Sequence, residues 1–163
     1  MKQLLQQYAA YNAWANKKIL DNASGLSEAQ LNAEIVSSFP SIYKTVAHLW
    51  EVESVWWQRI KLTEHVIWPS ASFTGDFAEL GKNLLQTSAQ WDQWVKDTTE
   101  AGLQHVFLYQ NSKKEQFKQP IYEMLVHLFN HQSFHRGQIV TMFRQLGMEK
   151  ITGMDFVLFC RRK

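Results

Sequence analysis

The sequence predicts an all-α protein, a four-helix bundle, from three observations. Four segments repeat apolar residues at the helical spacing of three and four positions. Only three Pro and seven Gly occur in the chain, which leaves room for long uninterrupted helices. The composition is 45% apolar and 20% charged, as in globular proteins with a substantial core. A length of 163 residues favours one domain over residues 1–163.

The first two predicted helices lie in the amino-terminal part of the chain. The first spans about residues 2–21, and "NASGLSEAQL" follows it with a Gly break and a Ser27 cap. The second begins after Pro40, where Ser41 can cap its amino end. The apolar side of the first contains Leu4, Leu5, Tyr8, Tyr11, Ala15, Ile19 and Leu20, and that of the second contains Ile42, Val46, Leu49, Val52, Trp56 and Ile60.

The remaining elements follow a loop, "WPSASFTGDF", after which Thr74 or Asp76 can cap a third helix. We expect this helix to end near Gly102. In "LQHVFLYQNSKKEQFKQP", two β-prone runs flank a polar turn, which predicts a short hairpin. The last helix runs from Pro120, a residue suited to a first turn, to Leu146. The apolar tail "MDFVLFC" should pack back on the bundle.

Composition and charge exclude several classes of protein. A formal net charge of +2 is too small to predict nucleic-acid binding. The one cysteine, Cys160, rules out an intramolecular disulfide and a multi-cysteine metal site, and we expect it to be a small buried side chain. No signal peptide and no apolar run of roughly 20 residues is seen, so we expect a cytoplasmic protein without a membrane partner.

Three histidines stand at intervals of four in "LVHLFNHQSFHRGQIV" of the last helix. Leu128 marks the centre of the apolar face of that helix. At about 100° per residue, His135 lies about 20° from this centre, His131 about 60° and His127 about 100°. Residues four apart stack on one helix face, so His131 and His135 form the best inward-facing pair.

Two interpretations of this pair are open. Each imidazole can be a packed core side chain that is hydrogen-bonded to a neighbouring group. Alternatively, the pair can bind a divalent metal ion, since the i,i+4 spacing is the one that helical zinc sites use. Two inward imidazoles in an apolar bundle would both need partners, which favours the metal more than a single histidine would.

A site with three protein ligands needs one more donor from another helix. The candidates are His48, His65, His105, Glu51 and Glu53. His48 lies about 100° from the centre of the apolar face of the second helix, so geometry alone favours a boundary side chain that reaches water.

Several other polar residues near these helix faces have predicted roles. Glu53 points inward, at about 40°, and is either a buried carboxylate that orients a histidine or a residue of the bundle margin. We do not expect Arg136 or Gln138 to be ligands. Arg136 should pair with Glu53 or Glu51, and Gly137 should permit a close helix contact.

The sequence resembles the DinB superfamily, the DNA-damage-inducible, metal-binding four-helix-bundle proteins, over nearly the whole chain. "YAAYNAWANKKIL" is similar to the family's first helix, and "SIYKTVAHLWEVESVWWQRI" to its second, in which a histidine precedes an acidic stretch and tryptophan. The most specific likeness is "HLFNHQSFHRGQI", close to the signature that ends in His-Arg-Gly-Gln.

The resemblance implies a metal triad of His48, His131 and His135, one residue from the second helix and two from the last. It also implies a crossover between the second and third helices. Homodimers are common in the family, and seven Trp would supply apolar surface for one. Some relatives resemble thiol-dependent transferases, whose metal binds a low-molecular-weight thiol.

The resulting hypothesis is a metal-dependent enzyme, a thiol transferase or a hydrolase, that acts on an unidentified small-molecule substrate. Zinc or nickel suits three imidazole ligands, which would leave a position open for water or thiol. Metal binding should weaken as the imidazoles protonate, below roughly pH 6. The alternatives are a metal-binding protein without catalysis and a metal-free interaction bundle.

Overall fold

The structure is a computed structural model that describes residues 1–162, and it contains four long helices and one short hairpin. The elements in chain order are α1 (Lys2–Ala23), α2 (Glu28–Asn32), α3 (Ile42–Ile60), a 3₁₀ turn (Pro69–Ala71), α4 (Phe77–Asp97), α5 (Glu100–Gln104), β1 (Val106–Gln110), β2 (Gln116–Pro120), α6 (Ile121–Gln145) and α7 (Phe156–Cys160). The two strands pair antiparallel. The all-α bundle with a hairpin before the last helix is confirmed.

The helices α3 and α4 run in the same direction. Near their amino ends, the Tyr43 hydroxyl donates a hydrogen bond of 2.7 Å to the carbonyl of Gly75. Farther along both helices, the ring centroids of Trp57 and Trp91 are 5.2 Å apart. The segment 61–76, called the crossover below, must therefore return along the bundle between them. This is the predicted crossover between the second and third long helices.

The crossover is held against α3 by side-chain contacts along its length. In order they pair Ile67 with Gln58, Ser70 with Glu51, Phe73 with Trp50, and Gly75 with Tyr43. The partners on α3 occur in reverse order, as an antiparallel return requires.

The other two long helices complete the ring. Both α1 and α3 pack against α4 and α6, so α1 faces α3 across one diagonal of the bundle. The helix α6 runs antiparallel to α3, since Trp56 lies beside His127 while Thr45 lies beside Met142. This antiparallel pair brings the middle of α3 against the middle of α6.

Local hydrogen bonds explain where the helices begin and end. The side chains of Ser41 and Asp76 cap α3 and α4, so Asp76 rather than Thr74 is the cap. The expected end of the third helix near Gly102 is wrong. The third long helix, α4, ends at Asp97, because Thr98 is extended and the Thr99 side chain caps the separate helix α5.

The tail packs back as expected, but its cysteine does not. Phe156 of α7 packs edge-on against Tyr8 and Tyr11, with ring centroids 5.6 and 5.1 Å apart. Cys160 is exposed rather than buried, because only one side of this single-turn helix faces the bundle. Within residues 1–162, no helix is both long and apolar enough to cross a membrane.

A buried polar layer divides the apolar core into two clusters. One cluster contains Trp91 and Phe129, and the other contains Leu84 and Phe143. Between them, the Glu53 carboxylate accepts hydrogen bonds from the Asn12 amide at 2.7 Å, the Asn16 amide at 3.0 Å and the Ser88 hydroxyl at 2.8 Å.

The buried Arg136 of α6, the last long helix, completes this layer. Its guanidinium donates to the Asn12 and Asn16 carbonyl oxygens at 2.7 and 2.8 Å. The expected pairing of Arg136 with Glu53 is therefore indirect, through the two asparagine amides. Every long helix contributes to the layer, so its hydrogen bonds fix the axial register of the bundle.

Two expectations for this region are wrong. Glu53 neither lies at the bundle margin nor orients a histidine, because its oxygens are occupied by the asparagine and serine donors. Gly137 makes no close helix contact: a Cβ there would meet nothing within 4 Å, since this position faces outward.

Burial raises the pKa of Glu53 from 4.5 to about 7, against the opposing effect of its hydrogen bonds and the Arg136 charge. In this pH window the folded protein holds a proton that the unfolded chain has lost. The contribution of Glu53 to stability must then fall as pH rises from 4.5 to about 7.

We predict that the stability difference between wild type and Glu53→Gln shrinks as pH rises through this window, because glutamine cannot titrate. The expected change is on the order of 3 kcal/mol. Urea unfolding of the metal-free proteins at a series of pH values measures it. The exposed Glu64→Gln is the matched control for loss of a carboxyl group. If the stability difference between the two proteins does not change with pH, the Glu53 carboxyl group is ionised across the whole pH window.

Candidate metal centre

The antiparallel contact between α3 and α6 brings three histidines together. His48 lies in the amino-terminal half of α3, and His131 and His135 occupy successive turns of α6. Beside them, the Gln132 side-chain amide donates to the carbonyl of Leu49 at 2.9 Å, which ties the two helix backbones at this level.

The three imidazoles converge through the same ring atom. Nε2 of His131 lies 3.4 Å from Nε2 of His48 and 3.2 Å from Nε2 of His135. One ring nitrogen of each histidine lies within 4.8 Å of a ring nitrogen of each of the other two. Two zinc-bound imidazole nitrogens in a tetrahedral site are about 3.3 Å apart, given Zn–N bonds near 2.0–2.1 Å. The spacing therefore fits a divalent cation.

The protonation of the rings also fits a cation. Burial, together with the neighbouring histidines, lowers the pKa values of His48 and His131 from 6.5 to about 4. Burial likewise lowers the pKa of His135. A lowered pKa keeps the neutral, ligating form at lower pH, so the threshold expected near pH 6 for ordinary imidazoles moves downward.

Gln138 orients one of the three rings. Its side-chain oxygen lies 2.7 Å from Nδ1 of His135, and its amide nitrogen donates to the Ser38 hydroxyl at 2.8 Å. Because the amide donates to Ser38, its oxygen faces the imidazole and accepts the Nδ1 proton. This leaves the lone pair on Nε2, which points at the other two histidines. Gln138 is thus outside the histidine cluster, and its orienting role was not predicted.

Two phenylalanines border the cluster. The Phe39 ring stacks on His48, with centroids 4.0 Å apart and an interplanar angle of 27°. The exposed Phe134 packs edge-on against His135 at 5.0 Å. Neither was predicted. Phe39 lies in an irregular segment, where no periodicity points to a site, and Phe134 lies on the outward face of α6.

The other candidate donors lie apart from the cluster. His127 is one turn before His131 on α6, is exposed, and packs its ring against Trp56. His65 is exposed in the crossover, and His105 is exposed ahead of the hairpin. Glu53 belongs to the polar layer. Glu51 lies beside His48 but is not among the converging ligand atoms.

The side chain of Gln6 at the start of α1 donates to the carbonyl of Lys96 at the end of α4, so α1 runs antiparallel to α4. The fold is therefore an up-down-down-up bundle with three histidines gathered across its second and last long helices. The chain belongs to the DinB family, whose family model matches residues 1–162. It is 26% identical to Protein DinB of Bacillus subtilis (strain 168) over 146 residues. This aligned region covers 84% of this chain and 83% of that protein.

A solved structure shares the fold. YfiT from Bacillus subtilis superposes with a TM-score of 0.74 and 17% sequence identity, over 91% of each chain. YfiT is described as a probable metal-dependent hydrolase with an unusual four-helix bundle topology. The likeness supports the fold, while the metal ligands of the present chain stay a prediction.

We predict that the apo protein binds one zinc ion per chain and that His48→Ala, His131→Ala and His135→Ala each abolish tight binding. Each loss should exceed the ~10–100-fold that removing an outer hydrogen bond costs. Isothermal titration with zinc measures the affinity, and circular dichroism checks the fold. His127→Ala is the matched control on the same helix. A large loss in this control, with none in His131→Ala, would reverse the assignment.

Gln138→Ala should weaken zinc binding by about 10–100-fold, because His135 loses the acceptor that fixes its tautomer. The control is Thr141→Ala, which removes a side-chain hydrogen bond to the carbonyl of Gly137 one turn away on α6. Competition with a fluorescent chelator compares the two variants. Equal affinities would mean that packing alone orients His135.

Proposed function

We propose that this chain is a metal-dependent hydrolase whose divalent ion is held by His48, His131 and His135. One observation carries the proposal: the Nε2 atoms of the three rings converge at 3.2 and 3.4 Å, while two of the rings come from successive turns of one helix. Packed histidines that need only a hydrogen bond have no reason to direct the same atom at a common point.

The three ligands are neutral, so they leave the full charge of the ion uncompensated. When bound, a divalent ion supplies Lewis-acid chemistry that lowers the pKa of a coordinated water or thiol toward neutrality. A set of three imidazoles is the ligand number of catalytic sites, which keep a position for water or substrate. Zinc or nickel is the expected ion, since both suit imidazole ligands.

The surrounding residues would position the ligands and limit the access of water. Gln138 holds the proton of His135 on Nδ1, away from the ion. Phe39 covers one face of the His48 ring, so bulk water is kept from that side. Phe134 is exposed next to His135 and offers an apolar contact to an incoming substrate.

Hydrolysis is favoured over thiol transfer by the description of YfiT, a structural neighbour, as a probable metal-dependent hydrolase. Thiol transfer is the second candidate because the same ligand set can bind a low-molecular-weight thiol. A homodimer with a cytoplasmic location completes the proposal. Gel filtration with light scattering tests the dimer.

The protein purified without a nickel column should contain one divalent ion per chain by elemental analysis. It should hydrolyse members of a panel of activated esters and amides, with activity lost on chelation and restored by zinc. The fold-matched His135→Ala protein measures the background. Turnover that requires added thiol would assign a transferase. Stoichiometric metal without turnover above background would support a non-catalytic metal-binding protein, and a metal-free folded protein would support an interaction bundle.

A further inference from the structure

The histidines of the cluster differ in the hydrogen-bond partner of Nδ1, the ring nitrogen that faces away from the cluster. Nδ1 of His135 has the Gln138 oxygen as its partner. Nδ1 of His48 and Nδ1 of His131 are both shielded from solvent and make no hydrogen bond within the described residues, but among these residues only Nδ1 of His48 has a carboxylate within 4 Å. A ring that ligates through Nε2 carries its proton on Nδ1, so this position of His48 needs an acceptor.

Glu51 offers such an acceptor. Its Oε2 lies 3.7 Å from Nδ1 of His48, one helical turn along α3, and both side chains are 16% exposed. A hydrogen bond at the usual N–H···O length requires either side chain to move by about 1 Å. The other carboxylate oxygen, Oε1, accepts from the Ser70 hydroxyl of the 3₁₀ turn in the crossover. Ser70 thus restrains Glu51 on the side away from His48.

We propose that Glu51 is the positioning residue of His48: it accepts the Nδ1 proton and aims Nε2 at the ion, while Ser70 holds the carboxylate in place. The crossover then takes part in metal binding without supplying a ligand. A carboxylate behind a histidine ligand fixes its tautomer and makes its free nitrogen more basic. This inference rests on the proposed metal site and adds to it a residue that no periodicity singles out.

A purely structural role is the competing explanation, since Glu51 also anchors the crossover. The chain offers a matched control for that role. Gln58 anchors the same segment by two hydrogen bonds to the backbone of Ile67, at 2.7 and 2.8 Å, and touches no histidine of the cluster. Gln58→Ala therefore loosens the crossover without changing the environment of His48.

The experiment compares Glu51→Leu, Glu51→Gln and Gln58→Ala. Zinc affinity is measured with zinc sulfate by chelator competition, and the protonation of His48 is measured by ¹⁵N NMR of the zinc-free proteins. Glu51→Leu should lower zinc affinity ~10–100-fold. Glu51→Gln should recover part of this loss, because its amide oxygen can still accept the Nδ1 proton. Gln58→Ala should bind as wild type, and urea unfolding checks that all variants fold.

The outcomes separate this inference from the proposed function. Equal affinities of Glu51→Leu and wild type, or equal losses in Glu51→Leu and Gln58→Ala, would overturn the role of Glu51 while leaving the metal site intact. If wild type binds no zinc, the proposed function fails, and the NMR comparison decides the inference. A His48 proton that moves from Nδ1 to Nε2 only in Glu51→Leu supports it, and an unchanged spectrum overturns it.

Discussion

The polar layer of Glu53, Asn12, Asn16, Ser88 and Arg136 is the constraint on which the rest of the structure depends. Apolar helices can slide or rotate against each other at modest cost, because hydrophobic contacts are not directional. Hydrogen bonds in a dry interior are directional, and an unsatisfied partner is costly. This layer therefore selects one register for all four helices. Arg136 follows His135 directly, so the register that satisfies the arginine also sets the level of the histidines.

The position of the histidine cluster depends on the register of both α3 and α6. α6 supplies two rings at a spacing that the helix itself guarantees, while the third ring must arrive from α3 at the matching height. The antiparallel packing of α3 and α6 delivers it, and Gln132 secures the level by its bond to Leu49. On another side of α3, the crossover packs along the same stretch of helix through the contacts of Ser70 with Glu51 and of Phe73 with Trp50.

The sequence predicted those features that depend on periodicity and local chemistry. Four long helices, the Ser41 cap, the hairpin and the inward pair His131 and His135 all follow from spacing within one element. His48 did not follow in this way, since its position on the edge of an apolar face acquires meaning only beside α6. The family resemblance supplied that residue.

Features that arise between elements were missed for the same reason. Glu53 was recognised as inward-facing, yet its hydrogen-bond partners come from two other helices, α1 and α4, and could not be read from α3 alone. Phe39 lies in an irregular segment and Ser70 in a single 3₁₀ turn, and neither is long enough to give a repeating sequence signal. The end of α4 was misplaced because Thr98 and Thr99 stop one helix and start another within a stretch whose composition stays helical.

His48 and His131, two of the three proposed ligands, lie 83 positions apart in the sequence, and α6 is the last of the long helices to be synthesised. A chain that has emerged only as far as the hairpin holds a single member of the triad. The complete cluster exists only after the final long helix has docked in its correct register. Metal binding by this protein would thus follow assembly of the bundle, and a bound ion would indicate that assembly is complete. In small metal-nucleated domains, by contrast, binding of the ion and folding are one event.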